Sequence, residues 1–239
     1  MIKVALIGGG NVSYHLANAF QSVENVELTI YSGRDDLLTK IDQPDICIIA
    51  VSDSAIIEVA KKLIGIDTLI AHTSGCTSIH ELPNKRKAVF YPLQTFSKDK
   101  KIDFSLVPIC LEAVHDDEYI LLEKLANSIS NSVQKVSSEQ RRILHLAAMF
   151  TNNFSNHMFH IAKEICEENN LSFDLMKPLI LETVDKIKTV SPFDAQTGPA
   201  RRHDLNTIKE HKKLIENPNH LKIYEQLTES ILNTYGQKL

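Results

Sequence analysis

Residue types and spacings that can do chemistry cluster at a few points of this 239-residue chain. The first is Gly8-Gly9-Gly10-Asn11-Val12-Ser13, which follows an apolar run at 3–7 and precedes an amphipathic one at 11–22. This is G-x-G-x-x-S at a strand-to-helix turn. The first glycine permits the tight turn and the second lets backbone approach a pyrophosphate. Ser13 is a small polar substitute for the glycine that lets helix pack on strand. Backbone N–H groups at the helix start then hold the phosphate. The context predicts dinucleotide binding, against the plainer alternative of a glycine turn without a ligand. The second apolar run ends Tyr31-Ser32-Gly33-Arg34. An NAD site usually carries an acid there for the ribose hydroxyls, whereas Ser32 with Arg34 suits a 2′-phosphate. NADP is therefore expected, with NAD kept open by Asp35 and Asp36.

Three further runs end in polar clusters: Val51-Ser52-Asp53-Ser54, His72-Thr73-Ser74-Gly75 and Tyr91-Pro92-Leu93-Gln94-Thr95-Phe96-Ser97. Ligands of open parallel sheets sit beyond the carboxyl ends of the strands, so the three together suggest a cleft wall. Cofactor contacts are expected from Gly8, Gly10, Asn11 and Val12 in the turn, from Ser32 and Arg34, and from Val51, Ser52, Asp53, Thr73 and Ser74. For Ser52-Asp53-Ser54, helix capping competes with that role. His72 can act as an acid, a base or a carbonyl-polarising donor, or can simply bond loop backbone. A hydrolase reading of Ser74 fails, because no G-x-S-x-G elbow surrounds it.

Residues 143–162 form a 20-residue window without Asp, Glu, Lys or Arg. Its asparagines and histidines make it too polar for a membrane span. On a helix at about 100° per residue, His145, Met149, Asn152, Asn156, His160 and Lys163 share one stripe, with Phe150, Phe154 and Ile161 opposite. A solvated face normally carries Lys, Glu or Arg. Buried amides and imidazoles need partners, so the stripe forms a polar network at a subunit contact or lines a substrate site, with a plain solvent face as the remaining alternative. His145, Asn152 and Asn156 are the candidates to meet a ligand. Further along, the run at 196–204 sets Arg201 and Arg202 side by side. Either can grip a substrate carboxylate or phosphate, or pair with Asp204.

These residues need a scaffold. Through about residue 135, short β runs alternate with helix-like segments, and the run at 46–51 is apolar on both faces, as in a central parallel strand. The alternation argues for an α/β fold with a parallel, doubly wound sheet over 1–136. From Ser137 onward nearly everything reads as helix, so an all-α domain is expected over 137–239.

Charged residues make up 23% of the chain and the net charge is −4, without the basic excess of a nucleic-acid binder. The N-terminus enters an apolar run at once, with none of the features of a signal peptide. Cys47, Cys76, Cys110 and Cys166 form no CxxC and are expected to be buried, reduced thiols of a cytoplasmic protein. The histidines lack metal-ligand spacing, so no metal site is expected.

Six motifs stand in order along the chain: G-x-G-N-V at 8–12, A-V-S-D-S-A-I at 50–56, H-T-S-G at 72–75, Y-P-L-Q-T-F-S at 91–97, L-H-L-A-A-M-F-T-N-N-F-S-N-H at 144–157 and Q-T-G-P-A-R-R-H-D at 196–204. With them the chain resembles, over nearly its whole length, the Rossmann-like proteins with a C-terminal DUF2520 domain. These are often labelled NADP oxidoreductases of the coenzyme F420-dependent type. The family is similar in turn to pyrroline-5-carboxylate reductase and to 6-phosphogluconate and 3-hydroxyacid dehydrogenases, which share a nucleotide domain followed by a helical, dimer-forming domain. The resemblance implies a Rossmann-type domain, NADP and a homodimer. The hydroxyacid dehydrogenases use a Lys, with an Asn nearby, on the long helix. Here Asn152, Asn153 and Asn156 are present, but no Lys lies between Gln140 and Ala162. Arg202-His203-Asp204 matches the family's R-x-D ending. Nothing in the residues argues for F420.

An NADP-dependent oxidoreductase is therefore expected, passing hydride between nicotinamide and a small polar substrate at the domain junction. The catalytic candidates are His72, His145, Asn152, Asn156 and Arg202, with His72 or His145 handling the proton. The alternative is an NAD(P)-binding sensor or scaffold without turnover, which the missing lysine favours. Neither a nucleic-acid nor a membrane partner is expected.

Overall fold

The computed structural model describes residues 1–31 and 41–236. The chain divides into two compact units, Met1–Asn153 and Phe154–Leu239. The first is built on seven strands: β1 (Ile2–Ile7), β2 (Val26–Tyr31), β3 (Ile46–Ile49), β4 (Leu69–His72), β5 (Lys87–Pro92), β6 (Ile109–Ala113) and β7 (Val133–Lys135). They form one sheet in the order β2-β1-β3-β4-β5-β6-β7. Every residue of β3 and β4 is buried, as the apolar composition of Ile46–Ile49 and of Leu69, Ile70 and Ala71 requires of central strands.

Helices α1 (Asn11–Gln21), α2 (Asp53–Lys61) and α3 (Asp116–Asn127) cover the sheet. Side chains alternate between the two faces of a strand, so the core has two layers. Val4, Leu6, Ile48 and Phe90 meet Leu16 and Phe20 of α1 and Leu122 and Leu125 of α3. Ile7, Ile49 and Ile70 meet Ile56 and Val59 of α2. Strand pairing is parallel from β2 through β5 and between β6 and β7. The β5–β6 pair is antiparallel, which corrects the all-parallel expectation. A parallel return needs a long crossover, usually a helix. The segment 93–108 holds a single 3-10 turn, Phe104–Leu106, and the chain folds straight back.

Helix α4 (Ser138–Ala148) starts with a capping box, in which Ser137 and Gln140 each bond the other's backbone N–H. Its Leu144 packs against Val89, Tyr91 and Cys110 on β5 and β6. Its Arg141 is fully buried. The guanidinium pairs with Glu112 of β6 and donates to the carbonyls of Ser74 (3.1 Å) and Thr77. Glu112 also accepts from the Ser138 N–H (2.9 Å) and hydroxyl (2.7 Å). These bonds explain why the first compact unit runs to Asn153 instead of closing near residue 136. Helical texture begins at Ser138, but α4 is bonded into the sheet.

Between Ala148 and Ser155 the backbone is π-helical, over Met149–Phe154. Residues 138–170 are therefore not one uniform helix. Bonding from i to i+5 fits extra residues into the turn, so the stripe drawn from His145 to Lys163 at a constant angle loses its register here. The second unit holds α5 (Ser155–Glu168), α6 (Lys177–Lys186), α7 (Pro192–Ala195), α8 (Leu205–Leu214) and α9 (Pro218–Tyr235). Among its described residues, the buried hydrophobic ones are Ile161, Cys166, Ala200, Ile208 and Tyr235. Leu175, Leu179 and Leu181 are 65%, 63% and 70% exposed. Cys47, Cys110 and Cys166 are buried, whereas Cys76 is exposed, contrary to expectation, because it lies in the loop past β4 and not in the sheet. Among the described residues no helix is long and apolar enough to cross a membrane.

Removing one partner of a buried ion pair leaves the other charge uncompensated. Glu112→Gln should therefore lower stability by about 3–5 kcal/mol and the melting temperature by roughly 6–20 °C. Thermal unfolding of the variant within 2 °C or so of the wild type would contradict this.

Candidate functional site

The turn after β1 is shaped by a backbone that side chains would obstruct. Gly8 has φ +142°, and a Cβ there would collide with the Ala50 carbonyl oxygen. The Gly8 N–H donates to the Tyr31 carbonyl (2.9 Å), and the buried Ser13 hydroxyl donates to the Gly8 carbonyl (2.8 Å). Ser13 thus closes the turn by a bond while staying small enough for α1 to pack. A Cβ at Gly9 or Gly10 would meet nothing within 4 Å. Helix α1 begins after Gly10 with no side-chain cap, so its first N–H groups are available to an anion. This open cradle fits a pyrophosphate.

Other expected cofactor residues divide in two. Asn11 uses its amide to donate to the Phe96 carbonyl (2.9 Å), and Val12 packs against the core. Val51 borders the turn, since a Cβ on Gly8 would lie 3.5 Å from its Cγ1. Ser52 occupies the N-cap position of α2 but makes no capping bond, and its hydroxyl lies 3.3 Å from that of Ser54. Capping therefore does not absorb it. Asp53 is exposed in the first turn of α2. Thr73 and Ser74 are buried and committed to the loop. Thr73 donates to the Ile49 carbonyl, and the Ser74 hydroxyl accepts from the Cys76 and Thr77 N–H groups, both at 3.0 Å. Ser32 and Arg34 lie outside the described residues.

The two candidate histidines have different surroundings. His72 ends β4 fully buried, and its Nδ1 accepts from the Ser74 N–H (3.1 Å). In the neutral ring the proton is then on Nε2, which has no partner among the described residues. Burial, and then the Arg141 guanidinium, push the imidazole pKa down to about 3. His145 is half-buried in the same unit. Its Nδ1 is 3.2 Å from the Tyr91 hydroxyl, and its ring rests on Gly75, where a Cβ would come within 2.6 Å of Nδ1. Burial is the main cause pushing the Tyr91 phenol up to about 12, and the Asp53 carboxylate adds to it. Tyr91 and His145 line a cavity of about 350 Å³ together with Gln94, Thr95, Thr151 and Asn152. Asn152 is exposed on the π-helical turn, a distortion frequent at functional sites.

Asn156 and Arg202 lie in the second unit, both exposed. Arg201 stacks on the Tyr235 ring at 4.5 Å. Asp204 caps α8, accepting from the Thr207 N–H (3.0 Å) and hydroxyl (2.7 Å), and those bonds hold its carboxyl below the usual range. Neither arginine forms an ion pair with it. Sequence reasoning missed Arg141 and the pairing of Tyr91 with His145. A charged residue one turn inside a capped helix was the available signal for the first. Nothing local announces the second, since its partners are 54 residues apart.

The sequence profile of DUF2520, a domain of unknown function, matches residues 107–231. No curated protein matches the chain by sequence. Among solved structures, a Bacteroides fragilis protein provisionally named NADP oxidoreductase BF3122 is 34% identical, with a TM-score of 0.87 over 97% of this chain and 98% of its own. Protein TM1727 of Thermotoga maritima is 19% identical, with a TM-score of 0.73 over 97% and 98%. Pyrroline carboxylate reductase of Plasmodium falciparum, solved with NADP bound, is 12% identical, with a TM-score of 0.58 over 97% and 100%. The last two establish likeness of fold, which is of the Rossmann type followed by helices.

The depressed His72 pKa ties stability to pH. The folded chain keeps this imidazole neutral down to about pH 3, whereas the unfolded chain protonates it below about 6.5. Its contribution is full above pH 6.5 and is lost as pH falls toward 3, by up to about 1.4 kcal/mol per pH unit. His72→Gln should show a shallower loss of urea midpoint between pH 7 and 4 than the wild type. Equal slopes would contradict a titrating role for His72.

Proposed function

Because the chain belongs to the DUF2520 family and carries an open glycine cradle at the β1–α1 turn, we propose that it is an NADP-dependent oxidoreductase acting on a small polar carbonyl or imine compound. The uncapped cradle is the observation that carries this reading. The 34% identical relative, whose name includes NADP, supports the choice of cofactor. Bound there, the nicotinamide supplies or accepts a hydride. Proton traffic falls to Tyr91 and His145. Tyr91 keeps its proton to high pH, and its hydroxyl shares a hydrogen bond with His145 Nδ1, which leaves Nε2 to exchange a proton with the substrate. The protonated His145 ring is the general acid for the substrate atom that gains a proton, and the neutral ring that remains is the base in the reverse direction. Gln94, Thr95 and Asn152 offer amide and hydroxyl groups to polar substituents. His72 works one step back, as a positioning residue that shapes the loop on which His145 rests. In the second unit Arg202 is available to an anionic group.

The exposed Leu175, Leu179 and Leu181, beside so few buried hydrophobic residues, support a homodimer through the helical unit. Sedimentation should give a dimer at micromolar concentration, and a monomer there would overturn it.

NADPH should bind more tightly than NADH, and NADPH oxidation should appear in a screen of imines, keto acids and aldehydes. His145→Ala should cut kcat by about 10²–10⁴-fold while leaving the NADPH Kd unchanged. Tight NADPH binding without turnover of any class would favour a nucleotide sensor instead.

A further inference from the structure

The dinucleotide reading leaves one cation beside the cradle without a role. Past β5, three consecutive residues are tied to the glycine turn and the first two turns of α1. The Asn11 amide donates to the Phe96 carbonyl (2.9 Å), and His15 Nε2 donates to the Ser97 carbonyl (2.8 Å). Lys98 Nζ donates to the Gly9 carbonyl (3.0 Å). The first two bonds are anchored by packed groups. His15 is buried, with its ring 5.2 Å from that of Phe96, and Phe96 stacks in turn on Phe104 at 6.0 Å. The segment is a strap held across the mouth of the turn.

Lys98 is different. It is exposed, and among the described residues it pairs with no carboxylate. Its Nζ lies 5.9 Å from the Tyr14 ring centre and is held at the central glycine, on a turn where a Cβ at Gly9 or Gly10 would meet nothing within 4 Å. An ammonium has three donors, and the Gly9 carbonyl takes one of them. We infer that Lys98 is the cation that pairs with the pyrophosphate of the dinucleotide, delivered to it by the strap. This rests on the dinucleotide reading above. The ammonium acts as a mobile point charge, adding to the N–H groups and the positive end of α1. Asn11 and His15 are positioning residues, because they fix the strap and not the phosphate.

The test is calorimetric binding of NADPH, NADH and ADP-ribose to the full chain and to Lys98→Gln, Lys98→Arg and Lys101→Gln. Gln keeps a donor for the Gly9 carbonyl and removes the charge. Lys98→Gln should raise the Kd of all three probes by a common factor of about ten to a hundred, the worth of one charge-assisted hydrogen bond. Lys98→Arg should stay within about three-fold of the wild type, and Lys101→Gln should shift binding less than two-fold. Lys98→Gln binding within two-fold of the wild type would overturn the assignment of Lys98 and leave the dinucleotide reading standing. A loss confined to NADPH would move the contact to the 2′-phosphate and overturn the pyrophosphate assignment. A wild-type chain that binds none of the probes would overturn both readings.

Discussion

A single buried guanidinium holds together the parts of the first unit that carry the candidate chemistry. Arg141 reaches from α4 to Glu112 on β6 and to two carbonyls of the loop past β4. Burying such a pair is costly unless the remaining donors and acceptors are satisfied. Here the Ser138 N–H and hydroxyl complete the carboxylate, and the Ser74 and Thr77 carbonyls complete the guanidinium. The same charge helps to keep His72 neutral. Arg141 thus fixes the loop's position and adds to the burial that keeps His72 neutral.

The arrangement places two kinds of site at one edge of the sheet. One is made of backbone, where Gly8, Gly9 and Gly10 leave open N–H groups at the start of α1. The other is made of side chains, where Tyr91 at the end of β5 meets His145 on α4 across Gly75. Both depend on glycine, for different reasons. Gly8 needs a backbone conformation and a closeness to Ala50 that a Cβ forbids, whereas Gly75 makes room for an imidazole. In the proposed reaction the hydride and the proton need separate carriers: the glycine turn would hold the nicotinamide cofactor that carries the first, and His145 would carry the second.

Much of the scaffold was legible in the chain. Strand–helix alternation, the apolar run at 46–51 and the change of texture at Ser137 are local patterns, and they recur in the structure. The antiparallel β6 was not legible, because pairing direction depends on how the intervening segment folds. The uncharged window marked a special helix, but a constant helical angle could not reveal the π-helical turn at Met149–Phe154, which breaks the drawn stripe. Likewise His72 and His145 look alike as residue types. Their burial separates them: one is shut in the sheet beside a cation, and the other lies on a cavity.

The sequence by itself determined the order of elements, the glycine turn and its chemistry, and the membership that six spaced motifs imply. These are properties of short segments, set by side-chain size, backbone freedom and hydrophobic period. The tertiary structure alone decided which polar residues are spent on the fold and which stay available. Thr73, Ser74 and Asp204 are consumed by bonds within the fold, whereas Ser52 makes no capping bond, His145 lines a cavity and Lys98 pairs with no carboxylate among the described residues. For Thr73, His145 and Lys98 the division comes from partners far apart in the chain, at Ile49, Tyr91 and Gly9, settled only once the sheet and its helices have met, whereas Ser74 and Asp204 bond groups two or three residues away.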